Sequence, residues 1–257
     1  MQNGAMRKSA VLIWFNLALV GASLLATGPA SAQDTRATQI SYEGTLGPTR
    51  IGLTILAKGG NTIAGGHYFY TKYFTDIPLT GSMNASALSL KGADGGTFSL
   101  MFVGNGSEGG KPLDFSNSVG LEGTWSKDGK SLPVKLTSGG QSPVSASGRW
   151  YEMVTGQTDL AFEAKAHWFW KAALAGDRAT TAKFVSFPLR VNQNGKSRTI
   201  KDAAELSAQW ETIFTPAYLA KLRNDLPHDM SIVQGQAMLG DGQAFFDDKG
   251  ATALNIP

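Results

Sequence analysis

Glycine is distributed unevenly along this chain, and its distribution limits the possible folds more than any other feature. Of the 31 glycines, 21 lie between Gln33 and Trp150 and only 7 follow Trp150. Glycine adopts positive φ without a steric penalty and weakens the interior of a helix. Long helices are therefore not expected before Trp150, and the chain is expected to contain two parts with different structure.

The first part is predicted to be an antiparallel barrel or sandwich of short β-strands. Its turn signals are Lys58-Gly59-Gly60-Asn61, Asp94-Gly95-Gly96 and Lys127-Asp128-Gly129-Lys130, which favour positive φ between strands. Even spacing of short strands with close turns is typical of an all-β domain. The predicted strands cover residues 40–46, 50–57, 67–74, 77–83, 87–91, 97–103, 120–125 and 132–136.

After Trp150 the pattern predicts an α+β domain. Residues 160–175 carry Phe162, Ala166 and Phe169 at helical spacing, and Asp202-x-x-Glu205 resembles a capping box that begins a helix over 202–214. Thr215-Pro216 begins a shorter helix. Two hairpins (187–191 with 197–200, and 231–239 with 243–246) and a strand over 253–256 complete the list. The predicted organisation is a β-domain over 38–136, a Ser-, Gly- and Pro-rich linker over 137–157, and the α+β domain over 158–257.

Both parts resemble known groups of proteins. The order of helices and hairpins over 158–257, with Phe187-Pro188-Leu189 and the segment 238–242, resembles the cone of the NTF2-like superfamily. The first part resembles a β-domain of exported bacterial proteins of uncertain role, through the segments 65–70, 76–81 and 121–125. Neither resemblance implies a role for a particular residue.

The first 32 residues have the layout of a Sec-type signal peptide. Met6-Arg7-Lys8 precedes an apolar run over 10–26, and Ala30-Ser31-Ala32 forms a cleavage site after Ala32. The predicted mature protein is periplasmic or secreted, with no membrane span after cleavage. Loss of two basic residues leaves a nearly neutral chain, which gives no support for a nucleic-acid partner.

No cofactor and no metal site are predicted. The chain has no cysteine, so it forms neither disulfides nor thiolate metal sites. Gly104-x-Gly106-x-x-Gly109 has the letters of a dinucleotide motif, but the residues after it lack helical periodicity. His67, His167 and His228 lie far apart in the sequence, so only convergence in the folded chain could place two of them on one metal ion.

Aromatic residues provide the candidate binding surface. Strand alternation over 67–74 places Tyr68, Tyr70, Lys72 and Phe74 on one face, while His67 and Phe69 lie on the other. Either the face that carries Tyr68 and Phe74 is covered by the α+β domain, which is the favoured interpretation, or it is an exposed binding patch. Trp168 lies off the apolar stripe of its helix and is expected to dock on the β-domain or to line a pocket.

Two ionisable groups, His167 and Asp241, are candidates for a pocket in the α+β domain. His167 follows Glu163 at helical spacing, where imidazole and carboxylate can pair, although a solvated helix face is the favoured interpretation. His228-Asp229 is interpreted as turn chemistry.

The sequence favours a binding protein of the bacterial cell envelope whose partner is a protein or a glycan. One alternative is an NTF2-like enzyme or carrier with a pocket in the α+β domain. Another is an immunity or inhibitor protein that inserts the loop 104–110 into a secreted hydrolase. Since the sequence contains no catalytic motif, it leaves open whether the protein is an enzyme and favours a protein that is not.

Overall fold

A closed antiparallel barrel forms the first part of the molecule. The computed structural model describes residues 37–59, 62–107, 109–144 and 148–257, and the predicted signal peptide and its cleavage site lie outside these residues. Each barrel strand pairs with its neighbours in the chain, and β8 pairs with β1 to close the ring. The strands are β1 (Ala37–Leu46), β2 (Thr49–Lys58), β3 (Thr62–Tyr70), β4 (Ile77–Asn84), β5 (Ala87–Gly92), β6 (Thr97–Val103), β7 (Gly120–Lys127) and β8 (Lys130–Pro143). The predicted barrel is confirmed, and the sandwich alternative is not the structure adopted.

Apolar side chains fill the barrel interior. Along β5 and β6 buried residues alternate with exposed ones, as a strand with one covered face requires. Large interior side chains include Tyr42, Tyr68, Phe98 and Trp125. Eight strands enclose a space just wide enough for such side chains, so the interior is a packed core.

Glycine is needed within the strands as well as in the turns. A Cβ atom at Gly44 would lie 2.0 Å from the carbonyl oxygen of Lys135, and one at Gly123 would lie 2.0 Å from that of Ser99. The backbones of neighbouring strands approach too closely there for any side chain, as occurs where strands bend to close a small barrel. The high glycine content before Trp150 thus has two causes.

The second part is a mixed sheet covered by helices. Its strand order is β10-β9-β14-β13-β12-β11, in which β14 and β9 are parallel and the other pairs are antiparallel. The strands are β9 (Val185–Gln193), β10 (Lys196–Ile200), β11 (Ser231–Val233), β12 (Gln236–Leu239), β13 (Ala244–Phe246) and β14 (Ala251–Ile256). The helices are α1 (Asp159–Ala175), α2 (Arg178–Lys183), α3 (Ala203–Ala208), α4 (Trp210–Ile213) and α5 (Pro216–Leu222). This confirms a barrel followed by an α+β part.

Helix α1 begins and ends where local sequence signals place it. The Thr158 hydroxyl accepts a hydrogen bond from the amide of Ala161, and Gly176 ends the helix with a φ of 71°. The helix buries Phe162 and Phe169 in the core of the α+β part. None of the helices in the described ranges is long and apolar enough to cross a membrane.

The structure differs from the sequence prediction in several elements. The helix predicted over 202–214 is divided at Gln209 into α3 and α4, although Asp202 caps it as predicted. A turn at Gln234-Gly235 divides the strand predicted over 231–239 into β11 and β12.

Strand β8 continues to Pro143, within the segment predicted as a linker. Its pairing with β1 shifts register at Ser41/Tyr42, where Gly139 is the extra residue opposite them. Glycine inside a strand commonly marks such a bulge. The barrel and the second sheet belong to one compact unit. Where they meet, the amide of Ile232 on β11 donates a hydrogen bond to Ser142 of β8 over 3.4 Å.

Candidate functional site

The junction cleft, a cleft of about 450 Å³, lies where the barrel meets the start of α1. Its walls come from β3, from the segment 71–76 that follows it, from α1 and the residues before it, and from the loop 223–230. Phe74, Trp150 and Leu160 contribute apolar surface to this cleft. Six ionisable side chains also line it. One is Asp159, and the other five form the junction cluster: His67, Asp76, Glu163, His228 and Asp229.

His228 lies at the centre of the junction cluster, between two carboxylates. Its Nδ1 atom is 2.6 Å from Glu163 Oε2, and its Nε2 atom is 2.8 Å from Asp76 Oδ1. Burial lowers the pKa of His228, but the hydrogen bonds with Asp76 and Glu163 outweigh burial and raise this pKa to about 10. The imidazole is therefore a cation at neutral pH when the cluster holds no other cation.

Glu163 is fixed by donors from two other segments. Its Oε1 atom accepts hydrogen bonds from the Tyr151 hydroxyl at 2.7 Å and from the Asp229 amide at 2.9 Å. The Tyr151 oxygen itself accepts a hydrogen bond from the Met230 amide at 2.8 Å. Because Tyr151 is fully buried, it cannot swing away into solvent. The carboxylate that faces His228 is thus held in one orientation.

His67 projects from the outer face of β3 and completes the cluster. Its Nε2 atom is 2.5 Å from Asp229 Oδ2 and 3.6 Å from Asp76 Oδ1. The Thr54 hydroxyl on β2 donates a hydrogen bond of 2.8 Å to the same Asp229 oxygen. Burial lowers the pKa of His67, but the hydrogen bond and charge of Asp229, with the charge of Asp76, give a net increase.

The aromatic neighbours restrict the two imidazoles further. The Phe69 ring meets the His228 ring edge to face, with centroids 4.3 Å apart. Phe69 can occupy this position because Gly52 on β2 leaves room, since a Cβ atom there would lie 2.2 Å from the Phe69 ring. The centroids of His67 and His228 are 6.2 Å apart. His67 and His228 are therefore neighbours in the folded chain, although they lie far apart in the sequence.

The cluster combines hydrogen-bond donors, acceptors and possible metal ligands. Two overlapping groups have their ligand atoms within 4.8 Å of one another: His67 with Asp76 and His228, and Glu163 with His228 and Asp229. Three carboxylates and two imidazoles can bind polar hydroxyl or amino groups, transfer protons, or coordinate a cation. The most exposed member is Asp76, whose side chain is 47% exposed.

A second cavity of about 300 Å³ lies on the other side of the loop 223–230. It is lined by Glu43, Asp225 and Asp241, among other residues. Burial raises the pKa of Asp225 to about 7, and the negative charges of Glu43 and Asp241 act in the same direction. Asp241, a predicted pocket residue, therefore lines this second cavity rather than the junction cleft.

Most residues of the predicted aromatic surface do not form an exposed patch. Tyr68 is fully buried inside the barrel and Tyr70 packs against the barrel core, so neither forms an exposed patch. Strand β3 ends at Tyr70, so the alternation predicted for Lys72 and Phe74 does not continue to them. Of this set only Phe74 lines the junction cleft. The α+β part covers the opposite face of β3 instead, where Phe69 contacts His228.

The predicted site residues on α1, Trp168 and His167, also differ from expectation in their surroundings, as does Glu163. Trp168 is 50% exposed and has the Lys171 ammonium over its ring, so it neither docks on the barrel nor lines the junction cleft. His167 packs against Phe74 at 5.1 Å between centroids, and burial, Lys171 and His228 lower its pKa. Glu163, predicted to be on a solvated face, instead pairs with His228.

Asp76 and Trp150 are not among the site residues predicted from the sequence, and His228-Asp229 is predicted only as turn chemistry. Asp229 does adopt a turn conformation, with a φ of 52°, while its side chain binds His67. A left-handed φ at Phe74, 50°, also lies beside the cleft. Such conformations in residues other than glycine persist only where surrounding contacts hold them. A sequence pattern gives no signal for them.

No family model, curated protein or solved structure matches this chain.

Proposed function

We propose that the protein is an exported binding protein of the bacterial cell envelope that holds a glycan in the junction cleft. The observation that carries this proposal is the composition of the cleft, in which aromatic and ionisable side chains from both parts of the molecule face one space. Sugars offer hydroxyl groups to charged hydrogen-bond partners and apolar C–H faces to aromatic rings. The signal-peptide layout of residues 1–32 supports the location.

The size and charge of the junction cleft suit a short polar ligand. A volume of about 450 Å³ is within the range of small-molecule sites. Asp76 is the most exposed carboxylate of the junction cluster, and Phe74, two residues before it in the chain, lines the same cleft. A sugar hydroxyl bound by Asp76 would place its ring within reach of Phe74.

The alternative, an enzyme or carrier with an NTF2-like cone, has less support for a site inside the α+β part. The element order over 158–257 still supports an NTF2-like arrangement as part of this proposal. Its interior, however, is occupied by Trp210, Phe214 and Tyr218, all of which are buried. We therefore propose that the ligand binds in the junction cleft. The remaining alternative, an immunity or inhibitor protein, is tested by the same binding experiment.

The experiment is a calorimetric titration of the protein, purified after expression of the full chain, with soluble peptidoglycan fragments and with chito-oligosaccharides. For the glycan that the native protein binds, Phe74→Ala is expected to lower the affinity by about tenfold. The change removes a partly buried ring from the cleft. Trp168→Ala is the matched control, since this exposed ring lies outside the cleft. Equal affinity of Phe74→Ala and the native protein, or binding of a secreted hydrolase through the loop 104–110 instead, would overturn the proposal.

A further inference from the structure

We propose that the junction cluster is a binding site for one divalent transition-metal ion of the Zn²⁺ class, with His67 Nε2, His228 Nε2 and Asp76 Oδ1 as ligands. This inference goes beyond glycan binding and does not depend on it. The three atoms come from β3, from the segment after β3 and from the loop 223–230, and they lie within 4.8 Å of one another.

The distances within the group agree with the size of a metal ion. Ligand atoms about 2.0 to 2.1 Å from a tetrahedral Zn²⁺ lie about 3.3 Å from each other. His67 Nε2 is 3.6 Å from Asp76 Oδ1, and His228 Nε2 is 2.8 Å from the same oxygen. Each of these two separations differs from that value by about half an ångström or less, and the third separation, between the two Nε2 atoms, is at most 4.8 Å. Coordination replaces the hydrogen bonds of His67 Nε2 with Asp229 and of His228 Nε2 with Asp76, and any proton on these two nitrogen atoms is released to solvent as the metal binds.

The residues around His228 are arranged like the outer shell of a metal site, which orients the metal-binding side chains. Metal-bound imidazoles commonly donate their other ring N–H to a carboxylate, which fixes the tautomer and the ring orientation. The contact of 2.6 Å between His228 Nδ1 and Glu163 Oε2 provides this carboxylate. Glu163 is in turn fixed by Tyr151 and by the Asp229 amide. His228 Nε2 is thereby directed at Asp76 and His67.

Charge and access favour a cation at this position. The carboxylates of Asp76, Glu163 and Asp229 repel one another, and a divalent ion stabilises all three at once. Two imidazoles and a carboxylate are the ligand types that favour Zn²⁺ or Fe²⁺ over Mg²⁺ and Ca²⁺. The junction cleft leaves the remaining coordination position open, as in sites where a metal contacts a water or a substrate.

The test is a titration of untagged protein, expressed as the full chain and treated with EDTA, with ZnCl2 in the absence of glycan. We expect one equivalent of Zn²⁺ to bind. His67→Gln and His228→Gln should each weaken binding by at least about 100-fold, and Glu163→Gln by about tenfold to 100-fold as an outer-shell change. His167→Gln is the matched control with unchanged affinity, because its ring is outside the ligand group. Cobalt(II) absorption spectra should show intense visible bands in the native protein and lose them in His67→Gln.

Circular dichroism of each variant checks that the fold is retained. If His228→Gln does not fold, Asp76→Asn carries the test, because this side chain is 47% exposed and contributes little to the core. The proposal is overturned if the native protein takes up no Zn²⁺ at about 100 μM, a concentration far above that needed by typical protein zinc sites. Unchanged affinity in both His67→Gln and Asp76→Asn would overturn it equally. Since Zn²⁺ is the only probe, a failure of glycan binding does not affect this result.

Discussion

The barrel interior and the junction cluster use neighbouring residues of the same strand for opposite purposes. On β3, Tyr68 points into the barrel and is surrounded by apolar side chains, while His67 and Phe69 point outwards to the α+β part. The interior depends on burial of apolar surface. The junction depends on pairing of buried charges, whose partners come from distant segments. Truncation of a residue should therefore cost stability in the first region by leaving a cavity, and in the second by leaving a charge without a partner.

Phe98→Ala in the barrel interior should have the largest effect on stability. Phe98 is fully buried and its ring is 5.1 Å from that of Tyr68. Its loss should lower the free energy of unfolding by about 4 kcal/mol, through lost burial and the cavity that remains. Urea denaturation followed by circular dichroism measures this. Met101→Ala on the same strand is the control, since Met101 is 61% exposed. Equal effects of the two variants would show that the interior is not packed as described.

Glu163→Ala in the junction cluster should lower the free energy of unfolding by about 3 kcal/mol at pH 7 in the presence of EDTA. The change removes the acceptor of the Tyr151 hydroxyl and of the Asp229 amide, and the charge that faces His228. Glu163→Gln keeps an acceptor and should lose about half as much. Glu211→Gln, in an exposed pair with Arg178, is the control and should change stability by less than about 0.5 kcal/mol. A loss as small for Glu163→Ala as for the control would contradict the pairing.

Asp225→Asn, in the second cavity, should change how stability depends on pH. Burial, with the charges of Glu43 and Asp241, raises the pKa of Asp225 from 3.8 to about 7, against the opposite effect of Arg50 and Lys221. Between these values the unfolded chain loses a proton that the folded chain keeps, so the free energy of unfolding falls as the pH rises. The native and Asn variants should have similar stability near pH 4, and the variant should be more stable by about 1 to 2 kcal/mol at pH 8, after allowance for solvent screening.

Urea denaturation at several pH values in EDTA measures the two curves. Asp128→Asn, at an exposed turn between β7 and β8, is a suitable control and should follow the native curve. Parallel curves for Asp225→Asn and the native protein would show that the Asp225 carboxyl is not buried in the way its pKa requires.

The accuracy of the sequence interpretation varied with the range of the interactions involved. Eight barrel strands were predicted in the correct order, because alternation and turn residues act over a few positions. The N-terminal cap of α3 was likewise predicted from Asp202. The end of β3 at Tyr70 and the bulge at Gly139 were missed. Both depend on pairing with a strand elsewhere in the chain, which a local pattern does not contain.

The candidate site also depends on long-range contacts, which a local sequence pattern does not contain. The sequence predicts no contact between His67 and His228, and it predicts a solvated helix face for Glu163. Their meeting requires the α+β part to cover the outer face of β3. Of the seven predicted site residues, Phe74 lines the junction cleft and Asp241 lines the second cavity.

The sequence by itself determined the local structure: strands where apolar and polar residues alternate, turns at Asp128-Gly129 and Asn194-Gly195, and an amphipathic helix from Asp159. Only the tertiary structure decided that His67, Asp76, Glu163, His228 and Asp229 form one cluster. The physical reason is that local conformation follows from the sterics and hydrogen bonding of adjacent residues. A buried network of charges instead depends on which distant surfaces pack together.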